Sequence, residues 1–454
     1  MVAMRFPAGL LRRRVVREGA WVAGGQALSA IAAVVSIRIM TGLLAPEEFG
    51  RLTLLVGVAA LALGLSATPR LQAVMRYYPD AAREGRIGHL RVAGGRLVYP
   101  LVAAGAVFLA VGWLVAGSWL GEPWFIGLLV AALLGVDSLR SFELALLNAA
   151  RRQPSAALIY VADAWSRPLM AVVAIFTFGS SAGAALAGYI VGSAAVVLAM
   201  RVWMPLEGVD ERNRPQETDA RKDSQLAIAA RRYALPLAPL AVFGWLSGMG
   251  DRYVIAGLLN LHDAGLYAAA YALASRPFLM LSGVVELTMR PVLQNAVASR
   301  DEAMIARTKK AWLLTTGAGA MFGVVCFMFL SDWVGRLLLA EQYRSATALM
   351  PWIALGYALY NIATVYTRFC YAFDNTEAVF LITACGAILG IAVMAPAIHL
   401  WGLSGAGHAV PVGFGVQLLL SAALARRADT NFFRRLPPAR GPSSTIGRGF
   451  DNVR

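Results

Sequence analysis

Apolar residues run along this chain in blocks of similar length, separated by short polar or glycine-containing breaks. Most blocks extend over roughly 20 residues, the length an α-helix needs to cross about 30 Å of hydrocarbon. The pattern predicts helical spans at about 20–44, 52–76, 97–118, 124–149, 155–178, 184–204, 233–258, 264–289, 311–330, 346–370, 378–398 and 405–425. The expected fold class is therefore all-α, a polytopic membrane protein of twelve spans. Some breaks are minimal, such as Gly179-Ser180-Ser181, and the largest break on that side of the membrane, Ser331 to Ser345, predicts a short amphipathic helix from Trp333, Val334 and Leu337 to Leu339.

The polar segments divide the chain. Residues 1–19 read as a basic arm, 20–204 as a first six-helix unit, 205–232 as a charged linker, 233–425 as a second six-helix unit and 426–454 as a polar, proline-containing, disordered tail. The arm lacks the cleavage pattern of a signal peptide.

Charge orients the spans. When alternate connections are assigned to opposite sides, one side holds 34 of the 41 basic residues and the other holds only Arg51, Arg336 and Arg344. Positive residues stay on the cytoplasmic side, so both termini are expected there. Arg38, Arg167, Arg252 and Arg276 fall inside spans, where a cation is expensive and marks a polar pathway. Composition agrees: 58% of residues are hydrophobic and 15% charged. The net charge of +15 is read as topology rather than as a nucleic-acid surface, because the basic residues sit at helix ends. Cys326, Cys370 and Cys385 lie in spans without a paired motif, and the four histidines have no ligand spacing, so neither a metal nor another cofactor is expected. No Gly-x-x-x-x-Gly-Lys-Ser/Thr run is present for nucleotide.

The halves repeat one another. Gly42-Leu43-Leu44 is followed by Gly50, and Gly257-Leu258-Leu259 by Gly265, at an offset of 215. Each copy has an acid two residues before its second glycine, Glu48 and Asp263, and an arginine ahead of it, Arg38 and Arg252. Internal repeats build many transporters, with the substrate site between them.

The stretch Arg-Ile-Met-Thr-Gly-Leu-Leu-Ala-Pro-Glu-Glu-Phe-Gly-Arg-Leu, Arg38 to Leu52, resembles the first outer turn of bacterial polysaccharide (O-antigen or exopolysaccharide) flippases. These belong to the multidrug/oligosaccharidyl-lipid/polysaccharide (MOP) exporter superfamily. Asp251-Arg252-Tyr253 and Gly265-Leu266-Tyr267 through Tyr271 are similar to their seventh and eighth spans. The resemblance implies two six-helix bundles around a central cavity that opens alternately to each side. It also implies transport of an undecaprenyl-diphosphate-linked oligosaccharide across the inner membrane, with membrane lipids, a polysaccharide polymerase and glycosyltransferases as partners. Arginines of the first, second, seventh and eighth spans would bind substrate, and the matching positions are Arg38, Arg70, Arg252 and Arg276.

The residues point the same way. A diphosphate cannot shed its hydration without losing several kcal/mol, and guanidiniums can replace that hydration with charge-assisted, bidentate bonds. Each arginine also has a structural alternative: Arg38 is near enough to its span end to snorkel, Arg252 neighbours Asp251, and Arg167 follows Asp163 by one helical turn. Arg276, before Pro277, has no nearby acid in sequence. Asp137, Glu143, Asp163 and Asp251 are candidate coupling or cavity acids.

Three other functions compete. A multidrug antiporter of the same superfamily commonly uses a first-span acid, and Trp21 to Leu44 contains none. The lipid II flippase family usually has two further spans. A membrane glycosyltransferase or polymerase needs catalytic carboxylates in a sizeable external loop, and the loops here are short.

Overall fold

The computed structural model describes residues 8–120, 123–203, 228, 230–232, 234–235 and 238–434, which form helices and turns without a strand. The first half comprises α1 (Ala8–Leu43), α2 (Pro46–Ser66), α3 (Thr68–Arg83), α4 (Ile87–Leu120), α5 (Trp124–Ala149), α6 (Gln153–Phe178) and α7 (Ala182–Trp203). The second comprises α8 (Ala238–Leu258), α9 (Leu261–Ala298), α10 (Glu302–Leu338), a 3-10 segment (Glu341–Leu349), α11 (Met350–Ala372) and α12 (Thr376–Arg434).

Gly402, at φ 58° and ψ −141°, breaks α12 into two limbs. They fold back on each other with little room between them: a Cβ on Gly405 would stand 1.9 Å from the Ala397 carbonyl oxygen, and one on Gly413 would stand 3.0 Å from the Gly390 Cα. Among the described residues, ten helices are long and apolar enough to span a membrane. That number counts α12 once and leaves out α8, whose Asp251 and Arg252 lower its hydropathy. Counting both limbs and α8, the described residues place a helix at each of the twelve expected positions.

Local chemistry explains where the spans start and stop. Pro69 removes a backbone donor, so the helix breaks at Ala67 and resumes as amphipathic α3, which buries Leu71, Val74 and Tyr78. The expected single span 52–76 is thus two helices. Asn260 caps α9 by accepting from the Asp263 N–H at 2.8 Å, and Asp301 caps α10 from the Met304 N–H at 2.9 Å. Residues 8–19 continue α1 instead of forming a separate arm. The amphipathic element expected at Ser331–Ser345 is displaced: α10 runs on to Leu338, and the 3-10 segment begins at Glu341. Most of the expected linker and the tail beyond Arg434 lie outside the described residues.

The two halves meet unevenly. At the end bearing the 44–45 turn, here the charge-poor end, one apolar core runs through both, from Ile37, Met40 and Leu44 to Tyr267, Tyr343 and Ile353. Toward the opposite, basic end the cores separate, one gathered around Leu71, Leu90 and Phe142 and another around Leu293, Trp312 and Phe369. Hydrogen bonds joining the halves gather between Thr41 and Gly57. Tyr343 Oη donates to Leu44 O at 3.0 Å, Tyr253 Oη to Leu54 O at 2.6 Å, and Trp245 Nε1 to Gly57 O at 2.7 Å.

The repeat seen in sequence is a contact in space. A Cβ on Gly50 would stand 2.2 Å from the Leu261 carbonyl oxygen, and one on Gly265 would stand 1.9 Å from that of Pro46. Leu261 is the repeat partner of Pro46, so the contact is reciprocal, as across a two-fold axis. Only glycine allows this approach.

Candidate functional site

Where the cores part, a polar cavity of 450 Å³ opens between the halves. The first half contributes Gln26, Ser29 and Ser36 of α1, Arg140 of α5, Asp163 and Arg167 of α6 and Tyr189 of α7; the second contributes Arg252 and Arg276.

The first-half charges close into a ring. Arg140 donates to Asp163 at 2.5 Å and to Asp137 at 3.2 Å, and Arg167 lies 3.0 Å from Asp163 and also donates to Asp137. Each arginine thus sits between two aspartates, and each aspartate between two arginines. Helical spacing places Asp137 with Arg140 and Asp163 with Arg167, and α5–α6 packing closes the square. Ser193 Oγ donates to Asp163 at 2.6 Å. Such alternation offsets part of the desolvation cost of four charges.

Arg252 is also compensated. Its guanidinium donates to Asp251 at 3.0 Å and to Gly248 O at 2.9 Å, and it lies 4.5 Å from the centre of the Tyr271 ring. Tyr267 Oη donates to Asp251 at 2.9 Å, and Tyr357 Oη to Tyr271 Oη at 2.7 Å. Asp251 itself faces a separate 50 Å³ cavity beside the glycines of α12.

Arg276 differs from these. It is open to the cavity on α9, and its guanidinium forms no ion pair or hydrogen bond with any described residue. With Arg140, Arg167 and Arg252 set against Asp137, Asp163 and Asp251, the site keeps one net positive charge, and it belongs to Arg276.

Other candidates lie elsewhere. Arg38 faces a different groove, lined by Leu169, Phe176 and Arg344. Arg70 sits on α3 and donates to Leu65 O at 3.1 Å and Ser66 O at 2.7 Å, satisfying carbonyls at the end of α2. Burial, and then the charge of Arg231, hold its guanidinium below the ordinary arginine pKa. Glu143 is buried and pairs with Arg91 of α4, away from the cavity. Arg140, inside the expected span 124–149, is a member of the ring. Tyr267 and Tyr271, one helical turn apart, enter the sequence reading only as part of the resemblance and not as site residues.

Residues 15–297 match the model of a family described as "Polysaccharide biosynthesis protein". The chain belongs to that family. Solved structures share its fold. A multidrug resistance MATE family transporter of the MOP superfamily, in an inward-facing conformation, superposes with a TM-score of 0.72 at 13% identity, covering 89% of this chain and 96% of the other. The lipid II flippase MurJ in an inward closed conformation gives 0.68 at 12% identity, covering 91% and 90%. A point mutant of the Vibrio cholerae MATE transporter VcmN gives 0.60 at 14% identity, covering 94% and 99%. No curated protein matches significantly. The MOP-type resemblance read from the outer-turn motif is borne out, as are the multi-pass, all-helical architecture and the link to polysaccharide biosynthesis.

Proposed function

We propose that this protein is an alternating-access flippase that carries an undecaprenyl-diphosphate-linked oligosaccharide across the bacterial inner membrane for polysaccharide assembly, without making or breaking a covalent bond. The basic end faces the cytoplasm, so the cavity is in its inward-accessible state, sealed outside by the Gly50–Gly265 contact. One observation carries the reading: an uncompensated guanidinium, Arg276, stands in a polar cavity between two halves that share a single apolar core at the charge-poor end.

An anionic headgroup entering from the cytoplasmic side meets Arg276 first as a charge and then as a planar donor fork. Arg252, held by Asp251 and Tyr271, shapes the wall and holds its charge in reserve. The hydroxyls and amide of α1 suit sugar. A cation-coupled drug antiporter fits less well, because the cavity face of α1 carries Gln26, Ser29 and Ser36 and no acid.

Arg276→Ala should abolish transfer of a labelled lipid-linked glycan between liposome leaflets, with the protein still folded and membrane-bound. Arg276→Lys should restore part of the rate, since the charge returns without the fork. Normal flipping by Arg276→Ala would remove the site, and a glycan lipid of altered mass would instead mark an enzyme.

A further inference from the structure

The groove holding Arg38 has a volume of 760 Å³ and lies at the charge-poor end, between α1, α6 and the 3-10 segment of the other half. Its walls are apolar and open outward: Leu169 is 50% and Phe176 76% exposed on a surface that lipid covers in a membrane. Its polar groups are few. Arg38 lies five residues inside the end of α1, which puts it about 7–8 Å down the helix axis from that end. Its guanidinium has no ion pair or hydrogen bond with a described residue. Arg344 stands at the rim, 3.5 Å from Glu341, which is itself 88% exposed. The 3-10 segment is pinned to the end of α1, because Gln342 Nε2 donates to Thr41 O at 3.2 Å and to Leu44 O at 3.0 Å. One arginine from each half therefore lines the same groove, where hydrocarbon gives way to headgroups.

Two surface arginines of opposite halves with an apolar wall between them have the shape of a lipid-headgroup site, not of a packing contact. The same two helices, α1 and α6, separate this groove from the central cavity: Ile37 and Pro168 face the cavity, and the next residues, Arg38 and Leu169, face the groove. We infer that the groove is an exit-side site for the diphosphate of a polyprenyl carrier in the outer leaflet, with the isoprenoid along Leu169, Val172 and Phe176 and the glycan in water. This rests on the flippase reading above. A diphosphate suits two guanidiniums better than a phospholipid's single charge does, because each phosphate can take one fork.

The test uses the full-length protein in phosphatidylcholine nanodiscs with a photoreactive benzophenone side chain at Phe176 and trace radiolabelled undecaprenyl diphosphate. Irradiation should label the protein. Arg38→Gln and Arg344→Gln should each cut labelling at least fivefold, while Arg276→Ala should leave it unchanged, because the groove is reached from the bilayer without transport. Arg344 is at the exposed rim, so that variant stays interpretable if Arg38→Gln fails to fold. Unchanged labelling in the foldable glutamine variants would overturn the assignment. So would equal displacement by phosphatidylglycerol at the same mole fraction, which would make the groove a general anionic-lipid site. Failure of the flippase reading shows separately, as normal transport by Arg276→Ala.

Discussion

Arg38 and Arg252 precede the two copies of the same turn, yet their guanidiniums meet different surroundings. Arg252 is 6% exposed among Asp251, Tyr271 and a carbonyl, whereas Arg38 faces an open groove. Their depth was readable in advance, because depth follows from counting residues along a helix. Their facing was not, because in a membrane lipid and protein both bury apolar side chains, and hydropathy does not distinguish the two. Arg276 was legible for the opposite reason: no acid lies within a helical turn, and folding brought none from elsewhere. The charge ring was half legible, since the pairs within α5 and within α6 are local but their closure into a square is tertiary. Asp163→Asn should destabilise the protein by about 2–4 kcal/mol, toward or below the usual cost of breaking a buried pair because the ring side chains keep some exposure. Asp163→Asn combined with Arg167→Gln should cost less than the two single changes added together, as coupled neighbours do. Equilibrium unfolding in detergent would measure both, and strict additivity would dissolve the ring as a unit.

Among the helices, sequence placed the spans well and their ends poorly. Hydropathy falls where charge begins, but a helix continues as long as its backbone bonds are made, which is why α9 and α10 run past the apolar blocks to Ala298 and Leu338. Proline did the reverse at Pro69, ending α2 inside a stretch that reads as one span. The Gly50–Gly265 crossing of α2 and α9 is the helix contact most exposed to mutation. Gly265→Ala puts a methyl 1.9 Å from a carbonyl oxygen, and backbone cannot yield as a side-chain tip can. The two helices must separate, which opens the charge-poor end. A cysteine at Met249, on the cavity wall, should then react with an impermeant maleimide added outside at least tenfold faster than in the unsubstituted background. An unchanged rate would show that this contact is not the seal.

For the protein in its entirety, one shared core at the charge-poor end and separate cores at the other describe a hinge, and among the described residues the hydrogen bonds across it run from Thr41 to Gly57. Transport requires those bonds to break and others to form at the basic end, and the balance shifts only as far as a ligand prefers one state. Locking the outer side should stop the cycle. Glu47→Cys with His262→Cys, bridged by a short impermeant bismaleimide from outside, should abolish flipping, whereas either single cysteine treated alike should not. Full activity of the bridged protein would mean that the halves do not part there.

That pair carries one more consequence. Glu47 and His262 are repeat partners, 215 positions apart, and His262 Nδ1 lies 2.8 Å from Glu47 Oε1. At a symmetry axis a residue meets its own copy. Two identical six-helix chains joined along this axis would set glutamate against glutamate or histidine against histidine. Fusion into one polypeptide removes that constraint, because each member of the facing pair is encoded separately. The seal therefore keeps the shape of a symmetric dimer while its polar contact is one that no homodimer could make.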